Sequence, residues 1–295
     1  MISKLKFHLK KCFQYIRNNK NIDSFIKNLD VNNLNIVLTS DCDHATLKRH
    51  KSIIQPLCSN GIKITVATFL CLEDDKSPLA KHCYKNETTA LDNKEFREFL
   101  LNMRDKYGLE IAYHGFSQIS NKRIIFEKGL KLFREYTGEM PYTYVEHGGL
   151  KNHHIDGMCK KETLAFEGKN ISSDYYILDI LRENIKAVWA EHDYLDQNKE
   201  NYLLEDFFYI KDGLNRFKRH KASMLSNQIS RASNNSYFFP YTHFNYDLFD
   251  INVGNILERW DIYSRSKAFE FLYKLKDNGA NFLTVKDAHK LWLSK

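Results

Sequence analysis

Five apolar stretches of this chain end on residues that could bind a metal or move a proton. Ile-Val-Leu-Thr-Ser leads to Asp41 and Asp43, Ile-Ala-Tyr to His114, Tyr-Val-Glu to His147, Val-Trp-Ala-Glu to His192 and Phe-Pro-Tyr-Thr to His243. Two carboxylates two residues apart repel one another unless a nearby cation favours both charged forms. With imidazoles added, the oxygen and nitrogen donors suit zinc or another first-row divalent ion. Such an ion lowers the pKa of bound water to about 7.

Residues so far apart in sequence meet only if the elements carrying them end on one face, as strands do in a parallel barrel. Apolar runs at Ile36 to Thr39, Ile62 to Phe69, Leu109 to Tyr113, Tyr142 to Val145, Ala187 to Ala190, Tyr237 to Tyr241 and Phe282 to Leu283 read as strands. Between them lie helical patterns: Phe96, Phe99, Leu100 and Met103 ending near Gly108, then Asn121 to Tyr136 closed by Gly138. A long helix through Ile256, Leu257, Trp260, Phe269 and Leu272 stops at Gly279, and Thr284 with Asp287 starts a last helix in the manner of a capping box. Strands separated by helices pair in parallel, so the fold class is α/β, a β/α barrel or a doubly wound sheet.

The 295 residues, 43% hydrophobic and 27% charged, have the proportions of a globular chain and exclude disorder. The net charge of +7 is spread among alternating acids and bases, so no nucleic acid is expected as a partner. Six cysteines without a C-x-x-C pair are read as reduced thiols. No run reaches the roughly 20 apolar residues of a membrane span. The basic start, Met1 to Lys20, lacks the apolar run and cleavage site of a secretory signal, so the cytoplasm is the expected compartment. Residues 1–30 form a basic amphipathic helical segment, with Leu5, Leu9, Cys12, Phe13 and Ile16 at helical spacing. It is a candidate for peripheral contact with the inner face of the membrane, the alternative being an ordinary helix packed on the domain. Residues 31–295 are expected to form one catalytic domain, with a less regular insertion or lid around 155–235.

Thr39-Ser40-Asp41-Cys42-Asp43 resembles the first motif of the polysaccharide deacetylase superfamily (NodB-like, carbohydrate esterase family 4), in an Asp-x-Asp form. Glu110-Ile111-Ala112-Tyr113-His114-Gly115-Phe116-Ser117 resembles the second motif, and the run from Gly279 to Asp287 resembles the family's final strand and helix. The resemblance spans Ile36 to Trp292. It implies a distorted (β/α) barrel of about seven parallel strands, a divalent metal (Zn, with Co, Ni or Mn as alternatives), and removal of an N-acetyl or related acyl group from a sugar or glycan. It also implies Asp41 as general base, Asp43 and His114 as metal ligands, and His243 as the late-strand acid that protonates the leaving amine.

Two departures from the family pattern stand out. Gln118 occupies the place of the second motif's second histidine, and glutamine is a poor zinc ligand. The arginine that steadies the family's base is not recognisable near Glu146-His147-Gly148-Gly149. His147 is the candidate replacement ligand, while Phe116, Gln118 and Glu146 are candidate substrate contacts. The alternative function is a non-catalytic glycan-binding member with an incomplete metal site.

Overall fold

Side chains of a strand alternate between its two faces, so a curled sheet sorts its apolar residues into an inside set and an outside set. The computed structural model shows this division. It describes residues 26–27, 31–32, 34–42, 46–71, 89–117, 122–147, 170–190, 207–221, 229, 237–243 and 262–295. The strands are β1 (Asn35–Ile36), β2 (Leu38–Asp41), β3 (Ile64–Thr68), β4 (Glu110–Tyr113), β5 (Thr143–Val145) and β6 (Ala187–Trp189). They are followed by β7 (Phe208–Lys211), β8 (Leu214–Phe217), β9 (His220–Lys221), β10 (Tyr237–Phe238), β11 (Pro240–His243) and β12 (Asn281–Phe282). The helices are α1 (Leu47–Ser59), α2 (Lys94–Tyr107), α3 (Arg123–Thr137), α4 (Leu178–Asn184), α5 (Ile262–Asp277) and α6 (Val285–Leu293).

The main sheet runs β7-β8-β6-β5-β4-β3-β2-β11-β9, and every pairing in it is parallel except the β7–β8 hairpin. β8 and β9 stand towards opposite ends of that order, yet only Lys218 and Arg219 separate them in the chain. Three peptide steps reach at most about 11 Å, so the sheet must curl until its edges face each other. With β8 and β9 counted as one bent strand, the ring holds seven parallel strands: β2, β3, β4, β5, β6, β8–β9 and β11. The expected distorted barrel of about seven strands is thus observed. β1 and β10 continue β2 and β11 backwards across Val37 and Phe239, and β1 lies between β10 and β12, parallel to both.

Small residues fill the middle of the ring. Val37, Ala67, Ala112, Val145 and Ala187 form a buried cluster with Trp189, Phe217 and Phe239. The alternate positions, Leu38, Val66, Ile111, Tyr113, Tyr144 and Val188, join the larger cluster with the helix residues Leu57, Phe96, Phe126, Leu181 and Leu272. One helix approach is close enough to require glycine: a Cβ on Gly129 of α3 would lie 2.0 Å from the Tyr113 hydroxyl of β4.

Local chemistry sets the helix ends. The Asn93 side chain accepts from the Phe96 amide to start α2, and Gly108, at φ 73°, closes it in the left-handed conformation that glycine adopts readily. The Thr284 hydroxyl accepts from the Asp287 amide and starts α6, as the sequence suggested.

The described residues of the span 155–235 include α4, the hairpin β7–β8 and the ring strands β6, β8 and β9. Its strands are short, and β8 carries Asn215 and Arg216 in its middle, which hides the alternation from a sequence pattern. Residues 1–25, where the membrane contact was expected, lie outside the described residues. No described helix is long and apolar enough to cross a membrane.

Candidate active site

The carboxyl ends of the ring strands carry two groups of side chains, one around Asp41 and Arg219 and one around His114 and His147. Asp41 ends β2 and is buried, and Arg219, in the link that closes the ring, donates to both its oxygens: Nη1 to Oδ1 at 2.6 Å and Nη2 to Oδ2 at 2.9 Å. The guanidinium lies between two aromatic faces, 3.8 Å from the Trp189 ring centroid and 4.7 Å from that of Tyr241. Trp189 ends β6, and its carbonyl accepts from the Glu146 amide at 2.9 Å, which sets His147 beyond the end of β5.

The His147 ring lies 4.9 Å from the His114 ring, and Phe69 touches both, with centroids 4.8 Å from His147 and 4.7 Å from His114. Phe69 clusters in turn with Cys42 and Ala90, and Cys42 adjoins Asp41. β11 runs beside β2 with His243 in register with Asp41.

His114 is buried, and its Nδ1 lies 2.8 Å from the Val145 carbonyl oxygen. A carbonyl only accepts, so Nδ1 carries the proton and the lone pair of the neutral ring sits on Nε2. A metal-binding histidine is commonly oriented in this way. Two imidazoles on one tetrahedral ion have ring centres about 5 Å apart, which the 4.9 Å separation of His114 and His147 matches. Among the described residues no third His, Cys, Asp or Glu completes a metal-binding group. Asp43, Gln118 and His192 lie outside the described residues.

Two expected substrate contacts, Phe116 and Glu146, are buried. Phe116 is buried in the outer cluster, with the Lys128 ammonium 5.3 Å from its ring, so it packs the barrel against the helices. Glu146 is buried beside Tyr144, whose hydroxyl pKa is pushed well up by burial and further by the Glu146 charge. Tyr144 belongs to the layer between sheet and helices, so Glu146 bears on that side of β5.

Arg219 was missed in the sequence. It does to Asp41 what the absent motif arginine was expected to do, but from the other side of the ring. The run before it, Leu214-Asn215-Arg216-Phe217-Lys218, is polar and carries no apolar stretch to mark a strand end.

No protein-family model and no curated relative matches the chain. Solved structures resemble it at low identity. The family 4 acetyl xylan esterase from Clostridium thermocellum, in complex with a cobalt ion, is 10% identical with a TM-score of 0.41, covering 87% of this chain and 91% of that one. A probable polysaccharide deacetylase from Pseudomonas aeruginosa is 9% identical at 0.47, covering 90% and 92%. A putative glycoside hydrolase/deacetylase from Parabacteroides distasonis is 9% identical at 0.49, covering 90% and 73%. The ring itself is established by the strand pairings.

Proposed function

We propose that the protein is a metal-dependent hydrolase that removes an N-acetyl or related acyl group from a sugar or glycan. The supporting observation is that the Asp41–Arg219 pair and the neighbouring His114 and His147 rings all stand at the carboxyl ends of the ring strands. His114 and His147 would hold the ion as nitrogen donors, with Asp43 supplying a carboxylate. A bound divalent cation would polarise the acyl carbonyl and acidify a water.

The other roles belong to the chain. Arg219 fixes the Asp41 carboxylate by two charge-assisted bonds. A carboxylate offers about four acceptor directions, so a guanidinium that uses two leaves the role of proton acceptor compatible with Asp41. His243, level with Asp41, would protonate the departing amine. Burial of the walls by Phe69 and Trp189 excludes water and strengthens each of these interactions.

Acetate release from a panel of N-acetylated glycans and nucleotide sugars tests the reading. Zinc or cobalt should stimulate it, and chelator or His114→Ala should abolish it. Intact substrates throughout the panel, with saturating metal, would refute it. The alternative, a glycan-binding protein without catalysis, is favoured by Gln118 in the place of a ligand, and predicts sugar binding indifferent to chelator.

A further inference from the structure

At the opposite, amino-terminal end of the ring a buried carboxylate joins four elements. Glu110 opens β4 and is 7% exposed. The Thr143 hydroxyl of β5 donates to its Oε1 at 2.6 Å, while its Oε2 accepts from the Thr65 hydroxyl of β3 and from the Lys286 amide of α6, each at 2.9 Å. The Thr65 hydroxyl also accepts from the Val285 amide at 2.9 Å, so the first turn of α6 is tied to the ring through this group.

Glu110 is among the residues that line a cavity of about 210 Å³. The charged and titratable groups facing it are Lys63 before β3, Arg104 of α2, Glu139 and Tyr142 before β5, and Lys286 and Asp287 of α6. The cations lie near carboxylates: Lys63 is 2.8 Å from Asp287, Arg104 3.6 Å from Glu139 and Lys286 3.8 Å from Glu139. Of these cations, Lys286 is the one whose charge favours ionised Glu110.

We propose that Glu110 is an acid-base latch at the closed end of the barrel, whose proton, shared with Thr143, sets how firmly α6 is held to β3, β4 and β5. In the protonated form Oε1–H donates to the Thr143 hydroxyl, which reverses its role, and Oε2 still accepts from Thr65 and Lys286. All three bonds survive without a buried charge. In the ionised form the same bonds stand, but a charge sits in a dry site, and burial, the largest influence, raises the pKa above its ordinary 4.5 against those bonds and Lys286. A raised folded pKa means that the folded chain holds the proton longer. The latch therefore contributes most below the ordinary value, and its contribution is lost as pH rises through the folded one.

Glu110→Gln imitates the protonated latch, with Nε2 donating to Thr143 and Oε1 accepting from Thr65 and Lys286. Urea unfolding of both proteins from pH 4 to 8 should show the wild-type folded-to-unfolded ratio falling relative to Glu110→Gln by roughly tenfold per pH unit above 4.5, until the folded pKa is passed. Carbon-13 titration of the Glu110 carboxyl in the wild-type protein should give a midpoint above 4.5, which Thr143→Val moves higher by removing a bond that favours the ionised form. Parallel stability curves, a carboxyl midpoint at or below 4.5, or a midpoint that Thr143→Val leaves in place would each overturn the proposal. None of these readouts depends on metal or activity.

Discussion

Replacing Asp41 by Asn tests the pair that joins the candidate site to the closure of the ring. Arg219 is 1% exposed and lies in the link between the sheet's two edges, so Asp41→Asn leaves a guanidinium charge with no neutralising partner in a dry setting. Removing one partner of a buried pair costs about 3–5 kcal/mol. The asparagine carbonyl can still accept one guanidinium N–H, which places the expected cost near the lower figure. A chain of this size has an m-value towards the upper end of the urea range, so a loss of about 3 kcal/mol moves the midpoint by about 1 M. Arg219→Met in the Asp41→Asn background removes the stranded charge and should recover part of the loss, giving a coupling within the range of about 0.5–3 kcal/mol seen for contacting groups. The assay is urea denaturation followed by tryptophan fluorescence on the four proteins of the cycle. An Asp41→Asn midpoint within error of wild type, or strictly additive effects, would refute the reasoning. A practical consequence follows for enzymology: activity lost in Asp41→Asn reports on the base only when the variant is measured well below its unfolding transition.

Two further predictions concern the scaffold. Gly129→Ala forces a methyl against the Tyr113 hydroxyl, 2.0 Å from the added Cβ, and should cost about 1–3 kcal/mol by overpacking, read as a lowered urea midpoint, despite alanine's better helix propensity. His50 is fully buried and its pKa is lowered from 6.5 to about 3 by burial, so the folded state binds fewer protons than the unfolded one between those values. Stability should therefore fall as pH drops from 6.5 towards 3, and His50→Leu should flatten that limb in pH-dependent denaturation.

The ring was legible in the sequence where a strand is buried along its whole length. β2, β3, β4 and β5 are buried on both faces, and each read as a short β-branched or aromatic run ending on Asp41, Phe69, His114 or His147. Helix ends with a capping residue or left-handed glycine, at Gly108, Gly138 and Thr284, were legible for the same local reasons.

What was not legible depends on partners distant in the chain. α1 carries Pro56 and no acidic first turn, and its helical conformation is supported by burial of Ile53, Ile54 and Leu57 against the sheet. β8 reads Leu-Asn-Arg-Phe, a polar strand whose Arg216 is buried through pairing with Asp212 in the hairpin turn. Arg219 gains its meaning only once the ring closes and sets it against Asp41 across 178 residues of chain. Phe116 was expected near substrate because it follows the His114-Gly115 turn, but that turn sends its ring back towards α3.

Cobalt(II) titration of metal-stripped protein, followed by visible absorbance, tests the central claim most directly, because it reads the ligand set without requiring the substrate. The account predicts one cobalt per chain with d–d bands of a nitrogen and oxygen site, lost in His114→Ala and in His147→Ala and retained in Gly129→Ala. Saturable binding with the same spectrum in both histidine variants, or no binding by the wild-type chain, would contradict it.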